Sequence, residues 1–414
     1  MDNNREAVGN TIERIVDQCV RCKTCTTFCP PLVATGISME TFVQFHMMSP
    51  NSQKDFGAYL DLCIACRRCL LECPSGIDMG ALVLEGRRRQ VVRSGQPLSD
   101  RVLERLDVVS RLASQTAPVS NVLLQWRPAR ALAQEILGLQ GNRVLPRFQR
   151  LHLRTKAVSR DPAPTRKVAF FTGCYVNYAD GDGVGQSVVD LLEQRGCQVV
   201  VPDQVCTGVA RIAYGDHRGA IQNLSYNVTS LRSWVEQGYD IVTACSSCHF
   251  ALRHEYPRLV PDEETRRVAD STWDLFEYLS LVLQIHKVKQ ESTENRLRVV
   301  CHSSCHARAG QVDGYVAEIL SALPGVDVRI VDDSCCGMGG TFGLKEANYD
   351  LSMAIGQQTA SKIAATQPDI VVSTCPACRM QLSQLLDGVP CIHPALLLRD
   401  GSDLDAFRER SATS

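Results

Sequence analysis

The stretch CVRCKTCTTFCP, residues 19–30, places four cysteines in a C-x2-C-x2-C-x3-C run that is followed by a proline, and CIACRRCLLECP, residues 63–74, repeats the spacing. Three thiolates on one tight loop hold three corners of a cubane iron-sulfur cluster but cannot reach the fourth, so the last cysteine of each run ligates the other cluster. The spacing therefore predicts two [4Fe-4S] clusters. One is held by Cys19, Cys22, Cys25 and Cys73, and the other by Cys63, Cys66, Cys69 and Cys29.

A pair of zinc ribbons is the alternative for these two runs. Zinc takes four ligands, usually as two C-x2-C pairs, and has no use for a third closely spaced cysteine followed by C-P in both copies. The spacing therefore favours iron-sulfur clusters over zinc.

The overall composition is that of a globular protein. The 414 residues correspond to about two to three domains. Lys and Arg total 44 and Asp and Glu total 45, and this net charge of −1 argues against a nucleic-acid partner. We expect neither a membrane span nor a secretory signal, because long apolar runs are absent and the opening MDNNREAVGN is polar. In a cytoplasmic protein, 20 cysteines indicate metal or redox chemistry before disulfides.

The second half of the chain contains an internal duplication. Three pairs of segments correspond: KVAFFTGC (167–174) with LRVVCHSSC (297–305), GCQVVVPDQVCTG (196–208) with GVDVRIVDDSCCG (325–337), and YDIVTACSSC (239–248) with PDIVVSTCPAC (368–378). Such self-similarity indicates two copies of one structural unit. Strand-like runs alternate with helical patterns over residues 184–194 and 315–323, which predicts parallel β-α-β units.

In both copies the cysteines follow the predicted strands. The first copy has Cys174, Cys206, Cys245 and Cys248, and the second has Cys305, Cys335, Cys336, Cys375 and Cys378. Parallel strands end at one edge of a sheet, which is where open α/β sheets bind ligands. The glycine-rich loop 335–343 allows positive φ and close backbone approach. A helix predicted over residues 344–364 would point the positive end of its dipole towards the same cysteines.

The paired cysteine runs, together with VAFFTGCYVNY, FALRHEYP, CCGMGGTFGLKEANY and IHPALLL, carry a family resemblance. Over nearly its whole length the chain resembles the iron-sulfur subunits that include the C subunit of anaerobic glycerol-3-phosphate dehydrogenase and the glycolate oxidase iron-sulfur subunit. Its second half also resembles the cysteine-rich CCG domains of heterodisulfide reductase subunits. The resemblance implies electron transfer from a flavoprotein dehydrogenase, of the glycerol-3-phosphate, glycolate or lactate type, towards the membrane quinone pool.

The resemblance implies a five-cysteine iron-sulfur centre in the second copy, which in some relatives is a noncubane [4Fe-4S] cluster. Its residues here are Cys305, Cys335, Cys336, Cys375 and Cys378. The first copy departs from the pattern, because Thr207 stands where the second cysteine of the pair belongs. The remaining Cys174, Cys206, Cys245 and Cys248 could hold a cubane, a zinc ion or nothing.

These inferences define a multidomain α+β and α/β protein. We expect a helical two-[4Fe-4S] ferredoxin-type domain over residues 1–95, a helical basic linker over 96–166, and two duplicated α/β CCG domains with small parallel sheets over 167–292 and 293–414. Residues 96–167 contain 13 Lys and Arg against 5 Asp and Glu. The segment is either a helical connector or a basic amphipathic patch that contacts anionic lipid or a partner, which would place the protein peripherally on the inner face of the membrane.

The sequence does not assign a single role to several other cysteines and histidines. Cys197, Cys301 and Cys391 are expected to be buried small apolar residues. His249, His302 and His306 adjoin ligand cysteines, where a histidine relays protons, bonds to cluster sulfur or lies on the surface. No catalytic residue is assigned.

Two other function classes remain. A disulfide or heterodisulfide reductase would use the second CCG centre on its substrate, whereas a zinc scaffold would only dock a dehydrogenase. No G-x-G-x-x-G follows a strand and no P-loop occurs, so no hydride cofactor site is predicted. Metal analysis separates iron from zinc. The electron donor is not named by this sequence, because substrate chemistry would belong to the partner.

Overall fold

The computed structural model describes residues 18–20, 22–37, 60–150, 164, 166–285 and 296–400. Its N-terminal part is built from short helices around the cysteine runs: α1 (Thr24–Phe28), α2 (Pro30–Thr35), α3 (Arg68–Leu71) and α4 (Met79–Ser94). Asp78 caps the N-terminus of α4, and its carboxylate accepts a hydrogen bond from the Ala81 amide at 2.9 Å. Gly95 caps the C-terminus, with φ +74°. Leu32, Leu82 and neighbouring apolar side chains pack against the cysteines in one small core.

Four further helices connect this part to the duplicated half. They are α5 (Leu98–Leu103), α6 (Leu106–Gln115), α7 (Ala117–Gln125) and α8 (Arg127–Leu137). Pro118 and Pro128 occupy the first turns of α7 and α8, where a missing N–H costs nothing. The helical linker expected for this segment is therefore confirmed.

The first repeat contains four strands and the helices that connect them. In chain order these are β1 (Arg166–Phe171), α9 (Gly173–Ala179), a π-helical turn (Gly181–Gly185), α10 (Gln186–Glu193), β2 (Cys197–Val200), α11 (Val209–Tyr214), α12 (His217–Glu236), β3 (Asp240–Thr243), α13 (Ser246–Phe250), a π-helical turn (Ala251–Glu255), α14 (Tyr256–Leu259), α15 (Glu263–Asp270), β4 (Thr272–Asp274), α16 (Leu275–Glu277) and a π-helical turn (Tyr278–Val282).

The second repeat follows the same plan. Its elements are β5 (Leu297–His302), α17 (Cys305–Ala309), α18 (Asp313–Leu320), β6 (Val326–Val331), two 3-10 turns (Phe342–Leu344 and Glu346–Asn348), α19 (Tyr349–Ala364), β7 (Ile370–Val372), α20 (Pro376–Leu385), β8 (Cys391–Ile392) and α21 (Pro394–Asp400).

Both sheets are entirely parallel and have the same strand order. It is β2-β1-β3-β4 in the first repeat and β6-β5-β7-β8 in the second. In each sheet the second strand lies on one side of the first strand and the third strand lies on its other side. The two connections therefore run in opposite directions, and a crevice forms at the carboxyl ends of the two central strands. Such a switch point is where open α/β sheets bind ligands. The duplication and the predicted α/β fold class are thereby confirmed.

The structure differs from the sequence-based expectation in two details. Each sheet has a fourth strand, β4 or β8, beyond the three expected. The helix expected from residue 344 begins only at Tyr349, because Lys345 is extended, with φ −75° and ψ 139°. Lys345 is held there by a backbone bridge to Leu139 at the end of the linker helices.

The two repeats share part of their core. Val188 and Leu279 of the first repeat pack in the same buried cluster as Ile319 and Ala395 of the second. Burying this surface favours a fixed relation between the two sheets. Among the helices of the described residues, none combines the length and apolarity needed to cross a bilayer.

Candidate metal centres

The N-terminal cysteine loops turn through backbone conformations that are rare for residues with a side chain. Lys23, Ala65 and Arg67 have φ values of +64°, +53° and +59°. Residues other than glycine seldom adopt positive φ, and such strain persists where the surroundings impose it, frequently at functional sites. Here it wraps the backbone around the sulfur atoms, and the Ala65 amide donates to Cys63 Sγ at 3.4 Å.

The electrostatics of these thiols show which of them lie together. Burial raises the pKa of Cys25, and three neighbouring thiols, those of Cys19, Cys22 and Cys73, raise it further. Burial likewise raises the pKa of Cys29, with added repulsion from Cys66, Cys63 and Cys25. The last cysteine of each run thus lies beside the first three of the other run. Ligation by these two sets stays a prediction, but four buried or half-buried thiols are a suitable donor set for an iron-sulfur cluster.

The cysteines of the second repeat converge at the carboxyl edge of its sheet. Cys305 begins α17 after β5, Cys335 and Cys336 follow β6, and Cys375 caps α20 after β7. Cys336 Sγ and Cys378 Sγ are 3.1 Å apart. Burial raises the pKa of Cys305, and the thiols of Cys66, Cys375 and Cys336 add to the rise. All five predicted residues are therefore brought to one place.

His302 joins this group as a further donor. A ring nitrogen of His302 and the sulfurs of Cys336 and Cys378 lie within 4.8 Å of one another. All three residues are buried, and the His302 Nδ1 atom has no hydrogen-bond partner. The only hint in the sequence is the position of His302 near Cys305. Its Nδ1 atom is an unsatisfied polar atom that a metal or a cluster sulfur would satisfy.

Glycine is required where the backbone approaches these sulfurs. Gly337 has φ +84°, and a Cβ atom there would lie 2.1 Å from the carbonyl oxygen of Ser352. Gly173 has φ +68°, and its Cβ would lie 2.8 Å from Cys248 Sγ. The positive φ expected for the loop after Cys336 is confirmed, and the Gly337 amide donates to Cys335 Sγ at 3.4 Å.

The first repeat brings its four cysteines together in the same way. Cys174 Sγ and Cys206 Sγ are 4.0 Å apart. A hydrogen bond from Cys248 lowers the pKa of Cys245 to about 7. Thr207 is buried, and its hydroxyl lies 3.9 Å from Cys248 Sγ. Four thiols fit a soft metal or a cubane cluster, whereas the Thr207 hydroxyl excludes the five-cysteine set of the second repeat.

The second N-terminal cysteine loop packs directly on the second repeat. Ile64 lies in one buried cluster with Cys335, Phe342 and Ile355, and Cys66 packs against it. The Arg68 guanidinium donates to the carbonyl oxygen of Asp333 at 3.0 Å. The thiols of Cys63–Cys69 and those of the second repeat therefore share one interface.

The same loop is fastened to the first repeat through Arg67. This side chain is 4% exposed and donates to both carboxylate oxygens of Glu255, at 3.0 and 2.9 Å. Arg67 also contacts Asp78 at 3.1 Å. A buried guanidinium that meets two carboxylates has its charge satisfied, so Arg67 fixes the loop against the first repeat.

The remaining cysteines and histidines separate into distinct environments. Cys197 and Cys301 are buried within strands, as expected, while Cys391 in β8 is half-buried. A surface position is wrong for His249, His302 and His306, because each is less than one-tenth exposed. Burial lowers the pKa of His249 to about 3. The sequence around these histidines does not indicate their burial, because it arises from packing between distant parts of the chain.

Comparison with known proteins agrees with this arrangement. A family model described as a 4Fe-4S dicluster domain matches residues 6–77, and one described as a cysteine-rich domain matches residues 168–253 and 299–383. The C subunit of anaerobic glycerol-3-phosphate dehydrogenase from Escherichia coli (strain K12) is 30% identical over 92% of this chain and 97% of its own length.

Two relatives from Bacillus show the same likeness. The probable glycolate oxidase iron-sulfur subunit of Bacillus subtilis (strain 168) is 25% identical over 88% of this chain and 87% of its own length. Lactate utilization protein A of Bacillus licheniformis is 28% identical over 52% of this chain and 90% of its own length. With a dicluster domain, two cysteine-rich repeats and a full-length relative, the chain belongs to the family of iron-sulfur subunits that includes the C subunit of anaerobic glycerol-3-phosphate dehydrogenase.

Proposed function

We propose that this chain carries electrons from a flavoprotein dehydrogenase, of the glycerol-3-phosphate, glycolate or lactate type, towards the membrane quinone pool. One observation carries the proposal. Cys66 packs against the buried cluster that contains Cys335, and its thiol adds to the rise that burial causes in the pKa of Cys305. The N-terminal donor set and that of the second repeat are thus adjacent. An electron relay requires such proximity, whereas two independent metal sites would not require it.

The proposed ligands are the two crossed sets of N-terminal cysteines, with Cys305, Cys335, Cys336, Cys375 and Cys378 for a third cluster. A metal centre at Cys174, Cys206, Cys245 and Cys248 completes the proposal. When bound, iron-sulfur clusters supply one-electron redox chemistry. We propose the same domain limits as above: residues 1–95, 96–166, 167–292 and 293–414.

The protein's own residues provide the environment that such chemistry needs. Ile64, Phe342 and Ile355 bury the junction between the two donor sets and exclude water from it. Burial raises the pKa of the Cys66 thiol, and the positive charges of the nearby Arg308 and Arg68 partly oppose that rise. Their positive charges would compensate the negative charge of a thiolate-bound cluster, and local charge and burial are among the factors that set the potential of such a cluster.

The electron donor is proposed to dock at the first cysteine run, near Cys22. Cys22 is exposed, and hydrogen bonds from Thr24 lower the pKa of its thiol. Val20 and Val33 are exposed apolar side chains on the same part of the chain, at 67% and 53%. An exposed thiol of the proposed cluster set, with apolar neighbours, suits a flavoprotein surface. The proposed location is the cytoplasm, peripheral on the inner face of the membrane.

The test uses the complex of this chain with its flavoprotein, purified without oxygen. Cys66→Ser should abolish reduction of a quinone analogue and leave reduction of an artificial dye by the flavoprotein unchanged. Cys391→Ser is the matched control, since Cys391 belongs to no proposed set. Unchanged quinone reduction in Cys66→Ser, or loss of the dye-linked rate, would contradict a relay. Turnover of small disulfides by the wild-type sample would instead favour the reductase alternative.

A further inference from the structure

The outer face of the linker helices is apolar and exposed. On α6, α7 and α8 the side chains of Leu112, Val119, Val122, Leu123, Leu132 and Ile136 are 46–67% exposed; we call this set the apolar face. Val119, Val122 and Leu123 are spaced to share one side of α7, and Leu132 and Ile136 one side of α8. Helix α7 contacts both α6 and α8. Contiguous apolar surface of this kind on a soluble protein marks an interaction site.

The same segment is anchored by buried and half-buried side chains, which include the apolar Leu103 and Leu106 in the core of the second repeat and two polar residues. Arg143 is 1% exposed and donates to the Gly343 carbonyl oxygen at 2.7 Å and to Ser352 Oγ at 2.8 Å. Ser114 is fully buried and donates to the carbonyl oxygen of Gln149. These buried contacts hold the segment against the repeats and leave its apolar face exposed.

Backbone hydrogen bonds tie the segment to both repeats. The Gln149 amide donates to the carbonyl oxygen of Tyr178 in the first repeat at 2.9 Å. The Gln140 amide donates to the carbonyl oxygen of Leu344 in the second repeat at 2.8 Å. The orientation of the apolar face is therefore set by the fold and does not depend on a free linker.

The exposed charges of the segment that carries the apolar face are almost all positive. Among the exposed charged side chains of residues 101–150, six are arginines and one, Glu135, is acidic. Arg111 lies beside Leu112 on α6, and Arg127 begins α8 next to Trp126. A face of this composition complements a negatively charged surface.

We propose that the apolar face binds the surface of an anionic phospholipid bilayer, with Arg111 and Arg127 against the headgroups. The inference deepens the function proposed above and rests on it, because it names the surface through which the chain meets the membrane that holds its acceptor. Interfacial helices have this combination of aliphatic face and arginine rim. Trp126, 57% exposed between α7 and α8, is the residue type enriched at the headgroup level. A protein partner is the competing occupant, and the one-sided positive charge favours lipid.

The test measures co-sedimentation of the full, cluster-loaded chain with vesicles. Phosphatidylcholine vesicles that contain phosphatidylglycerol should bind the chain, and pure phosphatidylcholine vesicles should bind it far less. Added salt should weaken binding, since charge contributes to it. The fluorescence of Trp126 should shift to shorter wavelength, and Trp126→Phe should remove that shift.

Matched variants locate the binding surface. Val122→Glu should abolish vesicle binding, whereas Val92→Glu, at a valine that is 72% exposed on α4, should not. Arg111→Ala and Arg127→Ala should each weaken binding about fivefold. Equal losses in Val122→Glu and Val92→Glu would overturn the assignment of this face.

Failure of this inference is separable from failure of the proposed function. Iron content and reduction of the chain by its flavoprotein in solution test the relay alone and need no bilayer. A chain that is reduced normally but binds no vesicle overturns only the lipid proposal. If the wild type bound no vesicles and Val122→Glu lost flavoprotein binding, the apolar face would bind a protein. That result would also overturn the lipid proposal.

Discussion

The Nε2 atom of His306 lies 3.2 Å from the carbonyl oxygen of Ala65, and its Nδ1 atom lies 3.0 Å from Ser247 Oγ. Because a carbonyl oxygen only accepts, Nε2 carries the proton and Nδ1 accepts from the Ser247 hydroxyl. Burial lowers the pKa of His306, which favours this neutral form. One imidazole in the second repeat thus joins the N-terminal cysteine loop to the first repeat.

His306→Phe should destabilise this junction. The new ring can still stack on Phe250, whose centroid is 5.0 Å from that of His306, but the Ala65 carbonyl loses its partner. Leaving a buried polar group unpaired costs about 1–3 kcal/mol. Urea unfolding measures the loss. Phe250→Leu, which removes the stacking and keeps both hydrogen bonds, is the control, and a larger loss there would mean that packing and not hydrogen bonding holds the junction.

Gly337→Ala should prevent the second repeat from assembling its cysteine site. The added Cβ would collide with the Ser352 carbonyl oxygen, which is backbone and cannot rotate away. Gly340 also has positive φ, at +66°, but no atom lies within 4 Å of its Cβ position. Gly340→Ala should therefore cost only the conformational strain, about 1 kcal/mol.

Iron content per chain and the melting temperature distinguish the two glycine variants. Gly337→Ala should lose iron and melt earlier, while Gly340→Ala should keep its iron. If both variants retained wild-type iron, close packing of the loop on α19 would be unnecessary for the site.

Asp274 should make stability fall as pH rises. Burial raises its pKa from 3.8 to about 7, and the nearby Glu277 adds to the rise. Between these values the folded protein holds a proton that the unfolded chain has lost, so the free energy of unfolding decreases with pH. Above about pH 7 the loss is complete and amounts to at most about 4 kcal/mol.

Asp274→Asn tests this pH dependence. The amide oxygen can still accept from the Phe276 amide, as Asp274 Oδ1 does at 2.9 Å, but it does not titrate. The variant should gain stability relative to the wild type as pH rises through the window. His249, whose pKa is lowered to about 3, acts in the opposite direction, yet it is present in both proteins and cancels in the difference. Parallel stability curves for the two proteins would contradict the assignment.

Much of this architecture follows from local patterns. The repeated segments ending in Cys174 and Cys305 predict two equivalent sheets, because a β-branched apolar run before a cysteine predicts a strand in both copies. Strands β4 and β8 are not predicted, because three and two residues are too few to show an alternating pattern and, unlike the equally short β7, neither strand leads into a cysteine motif. The burial of Arg143 and His306 is equally hidden in the sequence, since Gly343, which accepts from Arg143, and Ala65, which contacts His306, lie 200 and 241 residues away in the chain.

The helix boundary at Tyr349 has the same explanation. The residues from Leu344 to Asn348 have good helical character, but the bridge between Lys345 and Leu139 holds the chain extended. Tertiary contact overrides local propensity there. Sequence reasoning places the cysteines on the correct edge of each sheet, whereas contacts between the linker and the repeats decide how each loop approaches them.

Thr207→Cys should restore the missing donor of the first repeat. Thr207 is 2% exposed and its hydroxyl lies 3.9 Å from Cys248 Sγ, so a thiol there would join the four already present. Cysteine is close in size to threonine, and the buried position should accept it with little change in stability. We expect the purified variant to carry more iron per chain than the wild type, with an additional signal in its EPR spectrum.

Thr207→Ser is the matched control, because it keeps the hydroxyl and adds no sulfur. Its iron content should equal that of the wild type. If Thr207→Cys also bound no additional iron while folding normally, the difference between the two repeats would not lie in the number of thiols. It would then lie in the second repeat's His302 or in the contact of Ile64 with Cys335, neither of which the first repeat reproduces among the described residues.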